Sequence, residues 1–173
     1  MSEFPALIDA NVRSPTYYVA RTSVRCRRCG SPTGLLALAV PGDHETLDED
    51  SPADADAGGE PAEDAWQPAN AHAFLFYVGC LPDGVQGRLN QLSQFFRLAH
   101  SAATSSSYWA NHCEHCGTLL DDHELHCEPD GAFMPSSEVA AANIQLLHIH
   151  EPLQAAAGGY AVEPEFFGFM RRS

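Results

Sequence analysis

Two short motifs with the same arrangement of cysteines constrain this chain more than any other feature. The stretches CRRCG (residues 26–30) and CEHCG (residues 113–117) each carry two cysteines, two spacer residues and a glycine. Two thiolates at this spacing can reach one metal ion at about 2.3 Å while backbone N–H groups of the turn point at the sulfurs. The glycine allows the positive φ that such a turn requires. The sequence therefore predicts one four-cysteine metal site with these ligands: Cys26, Cys29, Cys113 and Cys116.

Zinc is the ion that we expect at this site, with iron as the alternative, because four thiolates suit both zinc and a mononuclear iron centre. A pair of reactive dithiols would instead need each motif to begin a helix after a strand, and no helical periodicity follows either motif. A disulfide within either CxxC pair is disfavoured, because the loop is short and strained and we expect a reducing compartment.

The two motifs resemble the knuckles of zinc-ribbon proteins, in which a metal lies between two CxxCG turns at the tips of β-hairpins. The chain is also similar to a group of uncharacterised bacterial proteins. In that group an aspartate and an LHxEPxGxF-like stretch follow the second knuckle, here LHCEPDGAF (residues 125–133). The resemblance covers only the knuckles and this stretch. It implies the same four cysteines as ligands, and it implies no reaction.

The distance between the two knuckles departs from the ordinary ribbon pattern. An ordinary pair is separated by roughly 15–20 residues, whereas 83 residues lie between Cys29 and Cys113. We therefore expect a split ribbon with residues 41–110 inserted between its halves. A metal ion at such a site would join distant parts of the chain, so its binding energy would become folding energy.

The balance of charge is strongly negative. The chain has 23 acidic residues, nine arginines and no lysine, which gives a formal net charge of −14. This disfavours nucleic acid and anionic membranes as partners, since both require positive charge, and it suits a basic protein partner. The N-terminal stretch lacks the features of a secretory signal, and no apolar run is long enough to span a membrane. We therefore expect a cytoplasmic protein without membrane association; the oligomeric state is unknown from the sequence.

The length of 173 residues fits a single domain, residues 1–173. In residues 16–40, a segment of alternating apolar and polar residues and a second, apolar segment lie on either side of a turn. This pattern predicts a hairpin with the first knuckle at its tip. Residues 41–70 carry ten carboxylates and no arginine. We expect them to form an acidic low-complexity loop, largely irregular or mobile, that is either a tolerated insertion or an arm that docks a partner.

The remaining segments alternate between extended and helical patterns. Strands are expected at residues 73–80, 105–113 and 144–150. An amphipathic helix is expected at about residues 85–100, with one apolar stripe made of Leu89, Leu92, Phe95, Phe96 and Ala99. A short helix is expected at residues 137–143, with Ser136 or Ser137 as its N-cap. The aromatic tail should pack against the body. The expected fold class is α+β: an antiparallel sheet, one clear amphipathic helix and a four-cysteine split zinc ribbon.

The segment 112–128 is rich in further ligand-type residues, namely His112, His115, His123, His126 and Cys127. In one interpretation these residues lie at the surface or beside the metal ligands without binding the ion, and His112 and His115 face solvent. In another they form an auxiliary metal site. A third interpretation is a catalytic metal site with Glu124 or Glu128 as general base. Neither HExxH nor the HxE and PCxxC pair of zinc deaminases is present. His148 and His150 should share one strand face, and Cys80 should be at least half-buried.

We interpret the chain as a metal-stabilised, non-catalytic acidic protein–protein interaction module, for example an antitoxin-like or immunity-like inhibitor, or an adaptor, for a basic partner. The first alternative is a metal-dependent enzyme that uses the His-rich segment 112–128. The second is a nucleic-acid-binding zinc ribbon whose contact surface is the basic cluster of Arg21, Arg25, Arg27 and Arg28. Enzymatic activity is less favoured because no known catalytic motif is present. Nucleic-acid binding is less favoured because the net charge is strongly negative.

Overall fold

The computed structural model describes residues 10–47, 66–102, 104–128, 131–162 and 166–172. Over these residues the protein is mostly β-sheet with few helices. The strands are β1 (Val12–Ser14), β2 (Tyr17–Arg25), β3 (Pro32–Val40), β4 (Glu45–Leu47), β5 (Trp66–Pro68), β6 (Ala73–Cys80), β7 (Phe96–Ser101), β8 (Ser106–His112), β9 (Leu119–Leu120), β10 (Gln145–Ile149), β11 (Leu153–Val162) and β12 (Arg171–Arg172). The helical elements are α1 (Asp83–Leu92), α2 (Glu138–Ala141), a π-helical turn (His123–Cys127) and a 3-10 turn (Phe167–Phe169).

Nine of the described strands form one sheet in the order β12-β10-β2-β3-β6-β11-β1-β4-β5. Neighbouring strands run antiparallel except for β10 and β12, which are parallel. Strands β7, β8 and β9 form a second, antiparallel sheet. The β2–β3 hairpin carries the first cysteine pair at its tip, and the second pair lies between β8 and β9. The predicted hairpin at residues 16–40 is therefore confirmed.

The large sheet is covered on both faces, so its central strands supply two hydrophobic cores. In β3, Leu36 and Leu38 belong to one core, whereas Leu35 and Ala37 belong to the other. The first core is completed by apolar residues of α1, β7 and β8, and the second by the π-helical turn, α2 and the C-terminal residues. Burying one leucine side chain contributes roughly 1.5–3 kcal/mol. Burial on both faces explains why this strand reads as an apolar run and not as an alternating pattern.

The only described helix of more than a few residues, α1, is shorter than the sequence predicts. It begins after Pro82 and buries Val85 and Leu89. At Ser93 the backbone is extended, and the Ser93 side chain accepts a hydrogen bond from the Phe95 backbone N–H at 3.0 Å. The prediction of a helix to about residue 100 is therefore wrong in its second half, which forms strand β7. Pairing of every β7 residue with β8 outweighs the helical spacing of the apolar residues.

Several shorter predictions are confirmed. Strands occupy residues 73–80, 106–112 and 145–149, close to the expected bounds. Ser137 caps α2, since its hydroxyl accepts a hydrogen bond from the Ala140 backbone N–H at 3.1 Å. The C-terminal residues Phe167 and Met170 are buried against the body. Cys80, in contrast, is exposed, so the expectation that it is at least half-buried is wrong.

Strand β11 is a central strand that the sequence analysis missed. Its stretch QAAAGGYAV is rich in alanine and glycine, which have weak strand propensity. A Cβ atom at Gly159 would lie 2.4 Å from the Phe76 ring, and one at Gly158 would lie 2.8 Å from the Tyr77 Cβ. The two glycines therefore let β11 approach β6 closely. Tyr77 itself has a φ of 51°, a left-handed conformation that is unusual for a tyrosine.

The ends of the acidic segment 41–70 are more regular than expected. Strand β4 pairs with β1, and β5 pairs with β4 at the edge of the large sheet. The expectation of irregular structure for residues 48–65 lies outside the described residues. Among the helices that the structure does describe, none combines the length and the apolar character that crossing a membrane would require.

Candidate metal centre

The two cysteine motifs fold into the same turn. In the first, the Cys26 N–H donates to the Ser31 carbonyl at 2.9 Å and the Gly30 N–H donates to the Cys26 carbonyl at 2.8 Å. In the second, the Cys113 N–H donates to Thr118 at 2.9 Å and the Gly117 N–H donates to Cys113 at 3.0 Å. Both glycines have a φ of 74°. A Cβ atom at either would meet nothing within 4 Å, so the requirement for glycine is conformational and not steric.

The structure brings the four predicted ligands together. All four sulfur atoms lie within 4.8 Å of one another, and the pairs Cys26–Cys116 and Cys29–Cys113 are each 3.6 Å apart. A tetrahedral ion with Zn–S bonds of about 2.3 Å places its sulfurs roughly 3.8 Å apart. A disulfide would need about 2.05 Å. The arrangement is therefore that of four free thiols around one ion-sized space.

Backbone N–H groups point at the sulfurs, as a thiolate site requires. The Arg28 N–H lies 3.4 Å from Cys26 Sγ, and the His115 N–H lies 3.4 Å from Cys113 Sγ. The backbone N–H of Cys29 contributes most to lowering the pKa of Cys26. The backbone N–H of Cys116 likewise lowers the pKa of Cys113 to about 6. These contacts favour the deprotonated form that binds metal.

The pKa of Cys116 shifts in the opposite direction. A hydrogen bond with the Thr118 backbone lowers the pKa of Cys116. Burial and the hydrogen bonds with the neighbouring sulfurs outweigh this effect and raise the pKa to about 11. Four adjacent thiolates repel one another unless a cation lies between them. A divalent ion would replace the remaining protons, so metal affinity should rise with pH.

A buried asparagine joins the two halves of the site. The Asn111 side chain accepts a hydrogen bond from the Leu36 N–H at 2.8 Å and donates one to the Leu36 carbonyl at 2.9 Å. The amide group thereby takes the place of a strand partner and holds β8 against β3. The Glu114 N–H also donates to the Thr33 hydroxyl at 3.0 Å. The two knuckles are thus positioned by hydrogen bonds in addition to any metal.

An ion pair links the first knuckle to the residues that follow the second. Arg27 lies 2.9 Å from a carboxylate oxygen of Glu124 and 3.7 Å from one of Glu128. Its side chain is 72% exposed, so this contact stabilises the fold by at most about 1 kcal/mol. The other arginines of this region, Arg21, Arg25 and Arg28, are exposed.

The histidines beside the second knuckle do not join the sulfurs. His112 is buried, and its Nδ1 faces the carbonyls of Phe95 and Ala110 at 3.2 and 3.1 Å. The expectation that His112 faces solvent is therefore wrong, because β8 places this side chain under the turn before β7. His115 is exposed as expected, with Nε2 3.1 Å from the Pro32 carbonyl.

The three remaining ligand-type residues of the segment do not converge. His123 is exposed, Cys127 is half-buried, and His126 is buried between the rings of Phe76 and Phe133. Among the described residues, the four cysteines form the only group of three or more side chains at metal-binding distances. The geometry gives no support to an auxiliary metal site in this segment.

Two aspartates to which the sequence pattern assigns no role, Asp121 and Asp122, connect this segment to the large sheet. Asp122 is buried and accepts a hydrogen bond from the Tyr77 backbone N–H at 2.9 Å. Asp121 accepts hydrogen bonds from the hydroxyls of Tyr77 at 3.3 Å and Tyr108 at 3.5 Å. Burial raises the pKa of Asp122 to about 7 and that of Tyr77 to about 12. The left-handed backbone of Tyr77 is thus held by this contact, at a cost in local strain.

Cysteine knuckles occur in proteins with many functions, so the fold alone does not assign one. Comparison of the chain with protein-family models, with curated proteins and with solved structures found no match in any of the three. The function has to follow from the chemistry of the site and the surface.

Proposed function

We propose that the four cysteines bind one zinc ion as a structural centre, and that the protein is a non-catalytic, acidic protein–protein interaction module. In this proposal the knuckles are the halves of a split zinc ribbon within an α+β domain. The observation that carries it is the closed set of four sulfurs within 4.8 Å of one another, which no histidine joins. Antitoxin-like, immunity-like and adaptor roles are all of this kind.

A closed four-thiolate site favours structure over catalysis. Catalytic zinc sites usually have three protein ligands and keep one position open for water or substrate. Here four thiolates would fill a tetrahedral ion, and Cys26 and Cys113 are buried in the second core. Cys29 and Cys116 are exposed, but an ion with four thiolate ligands has no open position for a substrate, so it would hold the β2–β3 hairpin to the β8–β9 segment.

The surface charge favours a basic protein as the partner. The formal charge is −14, and a zinc ion with four thiolates would make it two units more negative. Of the nine arginines, Arg13, Arg27 and Arg88 are paired with carboxylates of the same chain. Charge complementarity mainly accelerates and selects association, so binding to a basic partner should weaken as salt increases.

The metal part of the proposal is tested by metal content. Protein purified under reducing conditions with zinc present should contain one zinc ion per chain by elemental analysis and native mass spectrometry. Cys29→Ser should lose it, whereas Cys80→Ser, which changes an exposed cysteine outside the cluster, should retain it. Zinc gives no visible absorption, so a coloured protein with one iron per chain would identify the alternative ion.

The binding part is tested by isolating a partner and rebuilding the complex from purified components. We expect a basic protein that binds in a fixed ratio at low salt and dissociates at high salt. Turnover of a substrate that is lost in His123→Ala or Glu124→Gln, with the fold and zinc content unchanged, would overturn the proposal in favour of the enzyme.

One observation keeps the nucleic-acid alternative testable. Arg21, Arg25 and Arg28 are exposed near the first knuckle and form no ion pair with the described residues. If they contacted a nucleic acid, affinity would fall steeply with salt and Arg28→Ala would reduce the salt dependence. Arg97→Ala, in the exposed part of β7, is the matched control. No binding at low salt would remove this alternative.

A further inference from the structure

A cavity of about 650 Å³ lies at the other end of the large sheet from the cysteines. Strand β2 runs for nine residues from this end to the first knuckle, which is about 30 Å at 3.3 Å per residue. The cavity is built where the β1–β2, β3–β4 and β10–β11 turns meet. Its size is within the range of about 300–1,000 Å³ that is common for small-molecule sites.

The walls combine rigid apolar surface with a few charges. Pro15 and Pro152 supply the accessible apolar part, with Leu153 behind them. Proline fixes its own φ, and each of the three turns contains one, namely Pro15, Pro41 and Pro152. Leu153 is almost fully buried and belongs to the first core, which anchors this wall to the sheet. Such a cavity is pre-formed and would require little ordering on binding.

The charges in the cavity are unequally compensated. The Arg13 guanidinium is paired with Glu45 and lies 4.4 Å above the Trp66 ring. Asp43 is exposed at the cavity and has no ion-pair partner among the described residues. Among the described residues that line the cavity, one arginine stands against two carboxylates, so their formal charge is −1.

We propose that this cavity binds a small organic cation, with a primary ammonium group beside Asp43 and an apolar body against Pro15 and Pro152. The inference does not depend on the proposed function, because it involves neither the metal site nor a protein partner.

Other ligand classes fit the cavity less well. An anion would meet two carboxylates, and it would have to displace Glu45 from Arg13. A divalent metal ion needs several ligands in a compact group, and the described part of the chain offers such a group only at the four cysteines. A neutral apolar molecule would leave the Asp43 charge without a counter-charge, so Asp43 would contribute nothing to its binding free energy.

The test uses the zinc-loaded full chain and three probes of the same shape: benzylamine, benzyl alcohol and benzoate. Benzylamine is protonated at neutral pH, so only it presents the cation. In NMR titrations we expect benzylamine to shift amide resonances of β1 and the turns that form the cavity, with a Kd of about 1–10 mM, which is ordinary for a ligand of this size. Benzyl alcohol and benzoate should bind more weakly.

Two variants make the test specific. Asp43→Asn should weaken benzylamine binding on the order of fivefold, as expected for the loss of an exposed charge pair. Asp83→Asn, an exposed carboxylate at the start of α1, should leave the Kd unchanged. Asp43 is exposed in a turn, so we expect Asp43→Asn to fold, and the amide spectrum verifies this.

A second measurement reports on the charge next to Asp43. Burial lowers the pKa of His72 and of His148, and the charges of Arg172 and of a neighbouring histidine (His44 or His150) lower it further, whereas the Asp43 charge acts to raise it. A bound ammonium group would cancel that charge, so the pKa of both imidazoles should fall when benzylamine is present. Equal binding of benzylamine and benzyl alcohol, or an unchanged Kd in Asp43→Asn, would overturn the proposal.

Discussion

His126 lies with its imidazole between the rings of Phe76 and Phe133, and burial lowers its pKa to about 3 from an ordinary 6.5. The Nδ1 atom has no hydrogen-bond partner among the described residues. Because the folded protein holds this histidine neutral, the unfolded chain binds the extra proton below pH 6.5. Stability should therefore fall as the pH drops from 6.5 towards 3, by up to about 1.4 kcal/mol per pH unit.

His126→Phe should remove this dependence while keeping the aromatic stack. We expect the variant and the wild type to differ little at pH 7.5, and the variant to be more stable at pH 5 by about 1–2 kcal/mol. Urea unfolding of both proteins at both pH values measures the difference, and any loss of metal at low pH affects the two alike. A difference that is the same at both pH values would contradict the prediction.

Asp122 should have the opposite pH dependence. Burial raises its pKa to about 7 from an ordinary 3.8, so the folded state holds a proton that the unfolded chain releases. Its contribution to stability is therefore lost as the pH rises from 3.8 to 7. Asp122→Asn keeps an oxygen acceptor for the Tyr77 N–H and removes the charge.

We expect Asp122→Asn to be more stable than the wild type by about 1–4 kcal/mol at pH 8, and the gain to vanish near pH 4. Chemical unfolding across this pH range is the measurement. Asp83→Asn is the control, because that carboxylate is exposed at the start of α1. A gain that is equal at pH 4 and pH 8 would show that packing, and not charge, is responsible.

At the scale of elements, the docking of β8 on β3 depends on Asn111. Asn111→Ala would leave the Leu36 N–H and carbonyl without partners in a buried position. Each such group costs about 1–3 kcal/mol, so we expect a loss of roughly 2–4 kcal/mol in the free energy of unfolding. Zinc affinity should fall as well, since the two knuckles would no longer be held together before the ion binds.

Urea unfolding and competition with a zinc chelator measure the two effects. Asn90→Ala, at an exposed position of α1, is the matched control: it should leave zinc affinity unchanged and raise stability by about 0.5 kcal/mol through helix propensity. An Asn111→Ala protein of lower stability but unchanged zinc affinity would show that the amide supports the fold without preparing the metal site.

The elements also show what can be predicted from the sequence and what cannot. The β2–β3 hairpin, strand β6 and the Ser137 cap have local signals, and the four cysteines are recognisable from two short motifs. Strand β11 and the β4–β5 pair have weak propensity, so their positions depend on neighbouring strands. Asn111 and Asp122 act on residues 75 and 45 positions away, and no local pattern reports such contacts.

At the scale of the whole molecule, the four cysteines connect parts of the chain that 83 residues separate. Closing a loop of this length costs entropy that grows only slowly with length, and a metal ion at the junction would offset it. The second core includes Cys26 and Cys113, whereas the first core contains none of the four. Loss of the ion should therefore weaken one face of the large sheet much more than the other.

Removal of the metal with a strong chelator should lower the melting temperature by roughly 10 °C or more, if the site contributes several kcal/mol and each kcal/mol shifts the midpoint by about 2–4 °C. Hydrogen exchange should accelerate first at both knuckles and at β9, while α1 and the strands facing the first core stay protected. Cys80→Ser protein, treated in the same way, should behave like the wild type, and Cys29→Ser protein should not respond to the chelator. Uniform loss of protection would mean instead that the ion supports the entire fold, since the two cores would then unfold together.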